Sequence, residues 1–184
     1  MGRGGDGGTH LALLERARRA LPGVAVRSTF IAGFPGEDEA DLDELLAFVS
    51  EAGLAVAGVF PYDPQEGTPA AALPGRPPAE VAAERAALLA EAIERAAMPY
   101  WEAQVGRRVE VLVERGCRDG GEALGRVAAQ APDVDGRTYV RGGRLRRGDL
   151  VAAEVTQTLG FDLAAAALRV TASVTAAQRP GERG

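Results

Sequence analysis

The segment FIAGFPGEDEAD has the residue types and the spacing of a turn that could bind a ligand. An apolar run stops at Gly33 and Gly36, which bracket Phe34 and Pro35, and acidic residues follow them. Glycine lets a ligand approach the main chain and adopts φ values that other residues avoid, while proline stiffens the turn. Glu37 adds a carboxylate that can accept hydrogen bonds from a polar, cationic ligand group. We name these five residues the glycine loop.

The glycine loop also fits an ordinary strand-to-helix turn, because glycine is common at such turns. It lacks the Lys-Ser/Thr pair of a P-loop and is not a Gly-x-Gly-x-x-Gly motif, so a nucleotide-phosphate cradle is not supported. It follows a strand and opens a helix, which is a position where α/β sheets bind ligands, but the spacing alone favours the ordinary turn.

Four elements position the glycine loop. Apolar residues at helical spacing predict a first helix over residues 9–21. The run VAVRSTFIAG predicts a strand buried on both faces, and DEADLDELLAFVSEAG predicts a second helix with acids in its first turn and Gly53 at its end. The run AVAGVFPY predicts another buried strand. Because helix and strand alternate with short connections, these residues predict an α/β unit with a parallel sheet.

A Pro/Gly loop and a long helix follow. The run DPQEGTPAAALPGRPP has the composition of a loop, and AEVAAERAALLAEAIERAA is rich in strong helix formers. Pro99 is expected to kink this helix or end it near Ala97.

After Gly106 the hydrophobic period changes to two, which indicates strands. Val109, Val111 and Val113 share one face of RRVEVLVERG, and further strands are predicted at TYVRG and DLVAAEVTQTL. Residues 105–168 therefore predict a small antiparallel, all-β barrel. Residues 169–184 predict a weakly ordered tail, in which RVTASV is a possible extra strand.

Composition excludes several classes of site. The sequence has one cysteine, Cys117, and one histidine, His10, so it cannot build a disulfide framework or a Cys/His metal cluster by itself. No apolar run has membrane length and no signal-peptide pattern is present, which makes the cytoplasm the default location. Residues 1–102 hold 8 Arg against 16 Asp and Glu, whereas 103–184 hold 13 against 10, so the two halves are expected to meet different surroundings.

Several longer runs carry a family resemblance. RSTFIAGFPGEDEADLDELLAFV and GVFPYDPQEGTPAAALPGRPP resemble the later part of the radical-SAM domain of methylthiotransferases, and VGRRVEVLVE resembles the opening of their TRAM domain. GVFPYDPQEGTPAA and GRVAAQAPDVDGRTYV resemble the RimO-type branch, which methylthiolates an aspartate of the twelfth protein of the small ribosomal subunit. Members of the tRNA-modifying MiaB type usually carry Arg-Pro where this chain has Gln65-Glu66.

The resemblance implies four parts. They are the C-terminal part of a radical-SAM, TIM-like barrel at 1–75, a linker helix at 76–104, an OB-like TRAM barrel at 105–168 and a tail at 169–184. The fold class is thus α/β plus all-β.

The resemblance also implies a site. S-adenosylmethionine is expected beside the glycine loop, where Glu37 holds the ligand or the turn, with cofactor contacts at Gly33, Phe34, Pro35, Gly36, Glu37, Phe60 and Tyr62. Substrate contacts are implied at Glu66, Thr68, Arg126, Asp133 and Asp135.

The family's iron–sulfur ligands are missing from the sequence. RimO-type enzymes bind one 4Fe-4S cluster through a Cys-x-x-x-Cys-x-x-Cys motif and a second through an N-terminal domain, and the single Cys117 cannot replace either set. We therefore expect the chain to be the C-terminal part of a longer enzyme and to be inactive alone.

Other functions remain open from sequence. The chain also fits a tRNA methylthiotransferase of the MiaB type, a non-catalytic module that binds RNA or a ribosomal protein, or a degenerate paralogue. Six arginines are either phosphate contacts or an ordinary solvated surface: Arg107, Arg108, Arg126, Arg144, Arg146 and Arg147. Since residues 103–168 hold 10 Arg against 9 Asp and Glu, we expect the barrel to prefer a basic ribosomal protein to tRNA.

Overall fold

The structure is a computed structural model that describes residues 5–173. The chain divides into two compact units, Met1–Tyr100 and Trp101–Gly184. The prediction of four parts, with limits at 75, 104 and 168, remains a prediction.

The first unit alternates helices and strands as the sequence predicted. Its elements in chain order are α1 (Gly7–Ala20), β1 (Arg27–Ala32), α2 (Glu39–Ala52), β2 (Val56–Pro61), a 3-10 turn (Pro69–Ala72) and α3 (Ala79–Glu102). Strands β1 and β2 pair in parallel, from Arg27 opposite Val56 to Ala32 opposite Pro61. The predicted parallel pairing is confirmed.

Helix α2 begins and ends through local signals in the sequence. Asp38 accepts a hydrogen bond from the Asp41 amide at 3.0 Å, and the Asp41 carboxylate accepts one from the Asp38 amide at 3.0 Å, which forms a capping box. At the other end Gly53 adopts a left-handed conformation with φ of 54°. The cap at Asp38 fixes where the chain enters α2 from the glycine loop, and Gly53 fixes where it leaves the helix.

One face of the small sheet carries the core of the first unit. Val49 of α2 packs with Leu89 and Ile93 of α3, and Phe30 and Val59 of the strands lie against this cluster. Because side chains alternate along a strand, the neighbouring residues point to the opposite face.

The opposite face of the sheet is open among the described residues. Thr29 is exposed and the Phe60 side chain is 60% exposed. The prediction of strands buried on both faces is therefore wrong for this structure, since the described helices cover one face only.

Helix α3 continues through Pro99 to Glu102. Of the two effects expected of Pro99, the end of the helix near Ala97 is therefore wrong, and the kink stays a prediction. A proline removes one main-chain hydrogen bond from a helix, and packing can offset this loss. Trp101, in the turn after Pro99, is fully buried and contacts Phe161 edge to face at 6.3 Å between ring centroids. The last turn of α3 thus has a packing contact that can offset the lost hydrogen bond.

The second unit is a closed five-stranded barrel. Its strands are β3 (Arg108–Arg115), β4 (Glu122–Val127), β5 (Thr138–Arg141), β6 (Asp149–Leu159) and β7 (Asp162–Ser173), in the order β3-β4-β5-β7-β6. Val111 and Val113 point into its core, as the period of two predicted. The barrel is not wholly antiparallel, because β7 returns beside β6 and therefore runs parallel to β5 when it closes the sheet.

Two strands were incompletely predicted. Strand β4 was missed because Gly125 interrupts its pattern, yet the glycine is required, since a Cβ there would overlap the Leu112 carbonyl oxygen of β3. Strand β7 includes the start of the expected tail, from Arg169 to Ser173. The rest of the expected tail, residues 174–184, lies outside the described residues.

Candidate functional site

The glycine loop lies at the carboxyl end of β1, and its main chain is held from inside the loop. Both carboxylate oxygens of Glu37 accept hydrogen bonds from the Gly33 amide, each at 2.9 Å, and one also accepts from the Phe34 amide at 3.4 Å. The Glu37 amide in turn donates to the Phe34 carbonyl at 2.9 Å. Of the two roles expected for Glu37, this geometry favours holding the turn.

An arginine of α3 completes these contacts. Arg85 Nη1 lies 2.8 Å from Glu37 Oε1 and 3.0 Å from the Glu37 carbonyl oxygen. Both side chains are 12% exposed, so the ion pair is largely removed from water. The carboxylate of Glu37 therefore faces protein groups on both sides.

Helix α3 and the segment before it also pack directly on the loop. Gly33 has φ of +76°, and a Cβ built on it would overlap Ala82 Cβ and lie 2.9 Å from Ala82 Cα. The Gly36 amide donates to the Gly75 carbonyl at 3.0 Å. Two features therefore require glycine at position 33: the close approach of α3 leaves no room for a Cβ, and the positive φ disfavours other residues.

An aromatic pair extends the site to the end of β2. The Phe34 ring meets the Tyr62 ring edge to face, with centroids 5.2 Å apart. The Tyr62 amide continues the parallel pairing by donating to the Ala32 carbonyl at 2.8 Å. The Tyr62 hydroxyl is buried and has no hydrogen-bond partner among the described residues. An unpaired buried hydroxyl costs about 1–3 kcal/mol, which a bound polar group would recover.

Phe60 lies on the open face of the sheet, next to this pair. It is opposite Ile31 in the register of β1 and β2, and its ring lies 3.6 Å from the position of a Cβ built on Gly58. The missing side chain at Gly58 leaves room for the ring to lie along the sheet. Ile31, Gly58 and Phe60 are thus neighbouring apolar residues on the open face of the sheet.

A cavity of about 760 Å³ lies between α1, β1 and α2. Phe34, Pro35, Gly36 and Glu37 line one end of it. Of the other predicted site residues in the first unit, none is among the described residues that line this cavity.

Two predicted substrate contacts lie in the exposed loop after β2. Glu66 is exposed, and the exposed Thr68 hydroxyl donates to the Gln65 carbonyl at 2.8 Å, just before the 3-10 turn. The structure does not bring either residue into the contacts of the glycine loop described above.

The three predicted substrate residues of the second unit lie together. Arg126, Asp133 and Asp135 line one cavity of about 150 Å³. Arg126 Nε lies 2.9 Å from Glu114 Oε1, and the Asp135 carboxylate accepts a hydrogen bond from the Ala131 amide at 2.6 Å. Asp133 is exposed, with φ of +60°. The cavity therefore combines one paired arginine, one carboxylate that closes a loop and one exposed carboxylate.

A buried polar network around Gln130 lies at the start of the loop that carries Asp133 and Asp135. Gln130 is 1% exposed, and its side-chain oxygen accepts from the Thr138 hydroxyl at 2.7 Å and from the Val127 amide at 3.1 Å. Its side-chain nitrogen donates to the Phe161 carbonyl at 3.1 Å. Every polar atom of this buried amide group thus has a partner.

The arginines of the barrel are spread among acids. Arg126 pairs with Glu114, and Arg141 Nε lies 2.9 Å from Glu122 Oε2. The remaining candidates for phosphate contact are exposed: Arg107, Arg108, Arg144, Arg146 and Arg147. Exposure fits both expected roles, phosphate contact and solvated surface.

Within residues 5–173 no group of three or more His, Cys, Asp or Glu side chains is arranged to hold a metal ion. In the same range, no helix has the length and apolar character needed to cross a membrane.

Sequence reasoning missed Arg85 and Ala82. A signal existed, because Ala82, Ala86 and Leu89 form the buried stripe of α3 and Arg85 lies between them at helical spacing. A charged residue beside a buried stripe needs a partner, and the glycine loop supplies it in Glu37.

The sequence of the chain is similar to that of known methylthiotransferases. It is 44% identical over 160 residues to the ribosomal protein uS12 methylthiotransferase RimO of Moorella thermoacetica, a match that covers 85% of this chain and 35% of that protein. It is 45% identical over 166 residues to the RimO of Kineococcus radiotolerans, covering 86% and 34%, respectively. A third RimO, from an Anaeromyxobacter species, is 41% identical over 164 residues. The chain spans about a third of the length of the curated relatives it matches.

The barrel matches a domain family by itself. Residues 105–168 match the model of the TRAM domain. The resemblance to RimO-type methylthiotransferases is therefore confirmed, and the second unit of the chain contains a TRAM domain.

Proposed function

We propose that this chain is the part of a RimO-type methylthiotransferase that completes the S-adenosylmethionine pocket and carries the substrate-binding TRAM domain. The observation that carries this proposal is the 44% identity over 160 residues to a protein named as a uS12 methylthiotransferase. The proposed substrate of the whole enzyme is an aspartate side chain of uS12.

The first unit is proposed to be part of a radical-SAM, TIM-like barrel. Its parallel strands β1 and β2 and its helices on one side of the sheet are the repeating unit of such barrels. The open face with Ile31 and Phe60 would then point to the interior of the barrel. The relatives are about three times as long as the matched region, which leaves room in them for the remaining strands.

The residues at the end of β1 and β2 fit S-adenosylmethionine. The apolar residues Ile31, Gly58 and Phe60 of the open face suit a planar base, and the unpaired buried hydroxyl of Tyr62 needs a polar partner. When bound and cleaved by one electron from the reduced cluster of the intact enzyme, S-adenosylmethionine would supply the radical that removes a hydrogen atom from the substrate. The role of this chain is to bind and orient it: Phe34 and Phe60 would contact the ligand, while Glu37 holds the loop.

The residues do not fit an iron–sulfur cluster. A 4Fe-4S cluster needs several thiolates, and the sequence has one cysteine. We therefore propose that the cluster ligands of the intact enzyme lie in the two thirds of the relatives' sequences that this chain does not match. We assign no reaction step to residues of this chain.

The TRAM domain is proposed to bind uS12 in preference to RNA. An RNA-binding surface gains affinity when arginines neutralise phosphates, but Arg126 and Arg141 already pair with acids of the barrel. Exposed carboxylates such as that of Asp133 favour a basic protein through charge complementarity. Asp133, Asp135 and Arg126 are the proposed contacts.

The activity can be tested in a chimera. In the RimO of Moorella thermoacetica, the matched third is replaced by this chain, and uS12 is analysed by mass spectrometry after reaction. We expect a mass increase of one methylthio group at the aspartate. A folded chimera that retains its cluster but leaves uS12 unchanged, beside an active parent enzyme, would contradict the proposal.

The choice of substrate can be tested with the whole chain. Purified uS12 and tRNA are titrated at about 0.15 M salt, where screening removes most weak long-range attraction. We expect tighter binding to uS12, and we expect Asp133→Asn to weaken it more than the control Asp119→Asn, since Asp119 is exposed in another turn of the barrel. A tighter, steeply salt-dependent complex with tRNA would instead support a MiaB-type function.

A further inference from the structure

Arg85 is the one side chain of α3 that forms an ion pair with the glycine loop in the described part of the chain. A single nitrogen, Nη1, contacts both the carboxylate and the carbonyl oxygen of Glu37, at 2.8 and 3.0 Å. The contact joins residues 48 positions apart in the sequence. It therefore depends on tertiary packing and cannot form within the loop alone.

The second half of the arrangement lies between Glu37 and the loop main chain. The carboxylate that Arg85 contacts is the acceptor for the Gly33 and Phe34 amides. The Glu37 carboxylate thus lies between the Arg85 guanidinium and the two loop amides. The loop conformation therefore depends on the cation, the carboxylate and the amides together. The Glu37 side chain is 12% exposed, and without Arg85 its charge would be buried and unpaired. Turning toward water would then lower its free energy, and the two amides would lose their acceptor.

We propose that Arg85 is the positioning residue of the glycine loop: through Glu37 it sets the direction of the Gly33 and Phe34 amides and of the Phe34 ring. It does not touch the reacting atoms. The importance of the loop for S-adenosylmethionine rests on the proposed function, whereas the positioning itself rests on the contacts of Arg85.

Ordinary packing predicts a different result from positioning. If Arg85 only filled space, methionine would replace its hydrophobic stem and the loop amides would stay protected. If Arg85 positions Glu37, the loss of its charge should free the loop amides while the core of α3 remains intact. Lysine keeps the charge but not the planar guanidinium, and should restore part of the protection.

The experiment measures amide hydrogen exchange in the whole chain, residue by residue. Arg85→Met is compared with Arg95→Met, which removes an arginine from an exposed position of the same helix, where its side chain is 72% exposed. The exchange rates at Gly33 and Phe34 are divided by the rate at Leu89, a fully buried residue of α3, so that a general loss of stability cancels.

We expect this ratio to rise by about tenfold or more in Arg85→Met, because hydrogen bonds to a charged acceptor are among the strong ones. It should rise less in Arg85→Lys and stay unchanged in Arg95→Met. An unchanged ratio in Arg85→Met, or an equal rise in Arg95→Met, would overturn the inference.

A parallel titration of the chimera with S-adenosylmethionine distinguishes this inference from the proposed function, because the chimera contains the rest of the pocket. If the ligand binds to the chimera and binds more weakly to its Arg85→Met variant, both are supported. If it binds to neither while the exchange ratio of the chain still rises, the positioning role of Arg85 stands and the ligand assignment of the loop fails.

Discussion

Replacing Gly33 by alanine tests whether α3 determines the shape of the glycine loop. Two costs are expected. The φ of +76° disfavours any L-residue by about 1–2 kcal/mol. The new methyl group would also overlap Ala82, and forcing an extra methyl into packed structure costs about 1–3 kcal/mol. Together they should reduce the free energy of unfolding by about 2–5 kcal/mol.

Gly36→Ala is the matched control. Gly36 also has a positive φ, +87°, but no atom lies within 4 Å of a Cβ built there. It should therefore lose only the conformational part, about 1–2 kcal/mol. Any stabilisation from a less flexible unfolded chain affects both variants alike, so the difference between them measures the contact with Ala82.

A double-mutant cycle attributes that difference to the helix. Ala82→Gly alone should cost about 1 kcal/mol, because glycine is unfavourable inside a helix. In the Gly33→Ala background it removes one overlapping methyl group, although the Ala82 Cα at 2.9 Å remains, so the rescue should be partial. The unfolding free energies come from urea titrations followed by far-ultraviolet circular dichroism. Equal losses for Gly33→Ala and Gly36→Ala, or a coupling energy of zero, would refute the reasoning.

Four further outcomes are expected. Gln130→Ala should destabilise the barrel by about 2–4 kcal/mol, measured by urea titration of Trp101 fluorescence, because it leaves buried partners unpaired. Gln157→Ala, at an exposed position of β6, is the control and should change the stability little. Asp6 caps α1 by accepting a hydrogen bond from the Thr9 amide, which lowers the pKa of the Asp6 carboxyl. The stabilisation of α1 is therefore present at neutral pH and is lost as the pH falls through the lowered pKa. Asp6→Asn should remove this acid-induced loss of helix, and an acid titration of helicity that is the same in both proteins would contradict the cap. Limited proteolysis should cut residues 1–75 before 105–168, and earlier trimming of the barrel would contradict this. Reconstitution with iron and sulfide should give neither cluster absorbance nor cleavage of S-adenosylmethionine, and either signal would count against the cysteine argument.

The elements of the first unit follow from local sequence, and so does the family. The limits of α2 could be predicted because each signal acts on residues a few positions away along the chain: Asp38 caps the first turn, Gly53 ends the last turn and the apolar stripe lies between them. The period of two from Val109 onward likewise predicted the barrel. Strand β4 was not predicted, because Gly125 breaks its sequence pattern and is needed for close contact with β3. The grouping of Gly33 to Glu37 into one loop needed no tertiary contact to be recognised.

What the loop residues do was decided by tertiary structure. From sequence, Glu37 could accept hydrogen bonds from a ligand or hold the turn, and its partner could not be identified, because Arg85 is 48 residues away and lies in a helix that local propensity explains without it. The same holds for the open face of the sheet. The apolar composition of β1 and β2 predicts strands that can be buried on both faces, but it does not determine which elements cover each face. Which cation meets a carboxylate, and which face of a strand meets a helix, depend on distances between remote segments, and only the folded chain sets those distances.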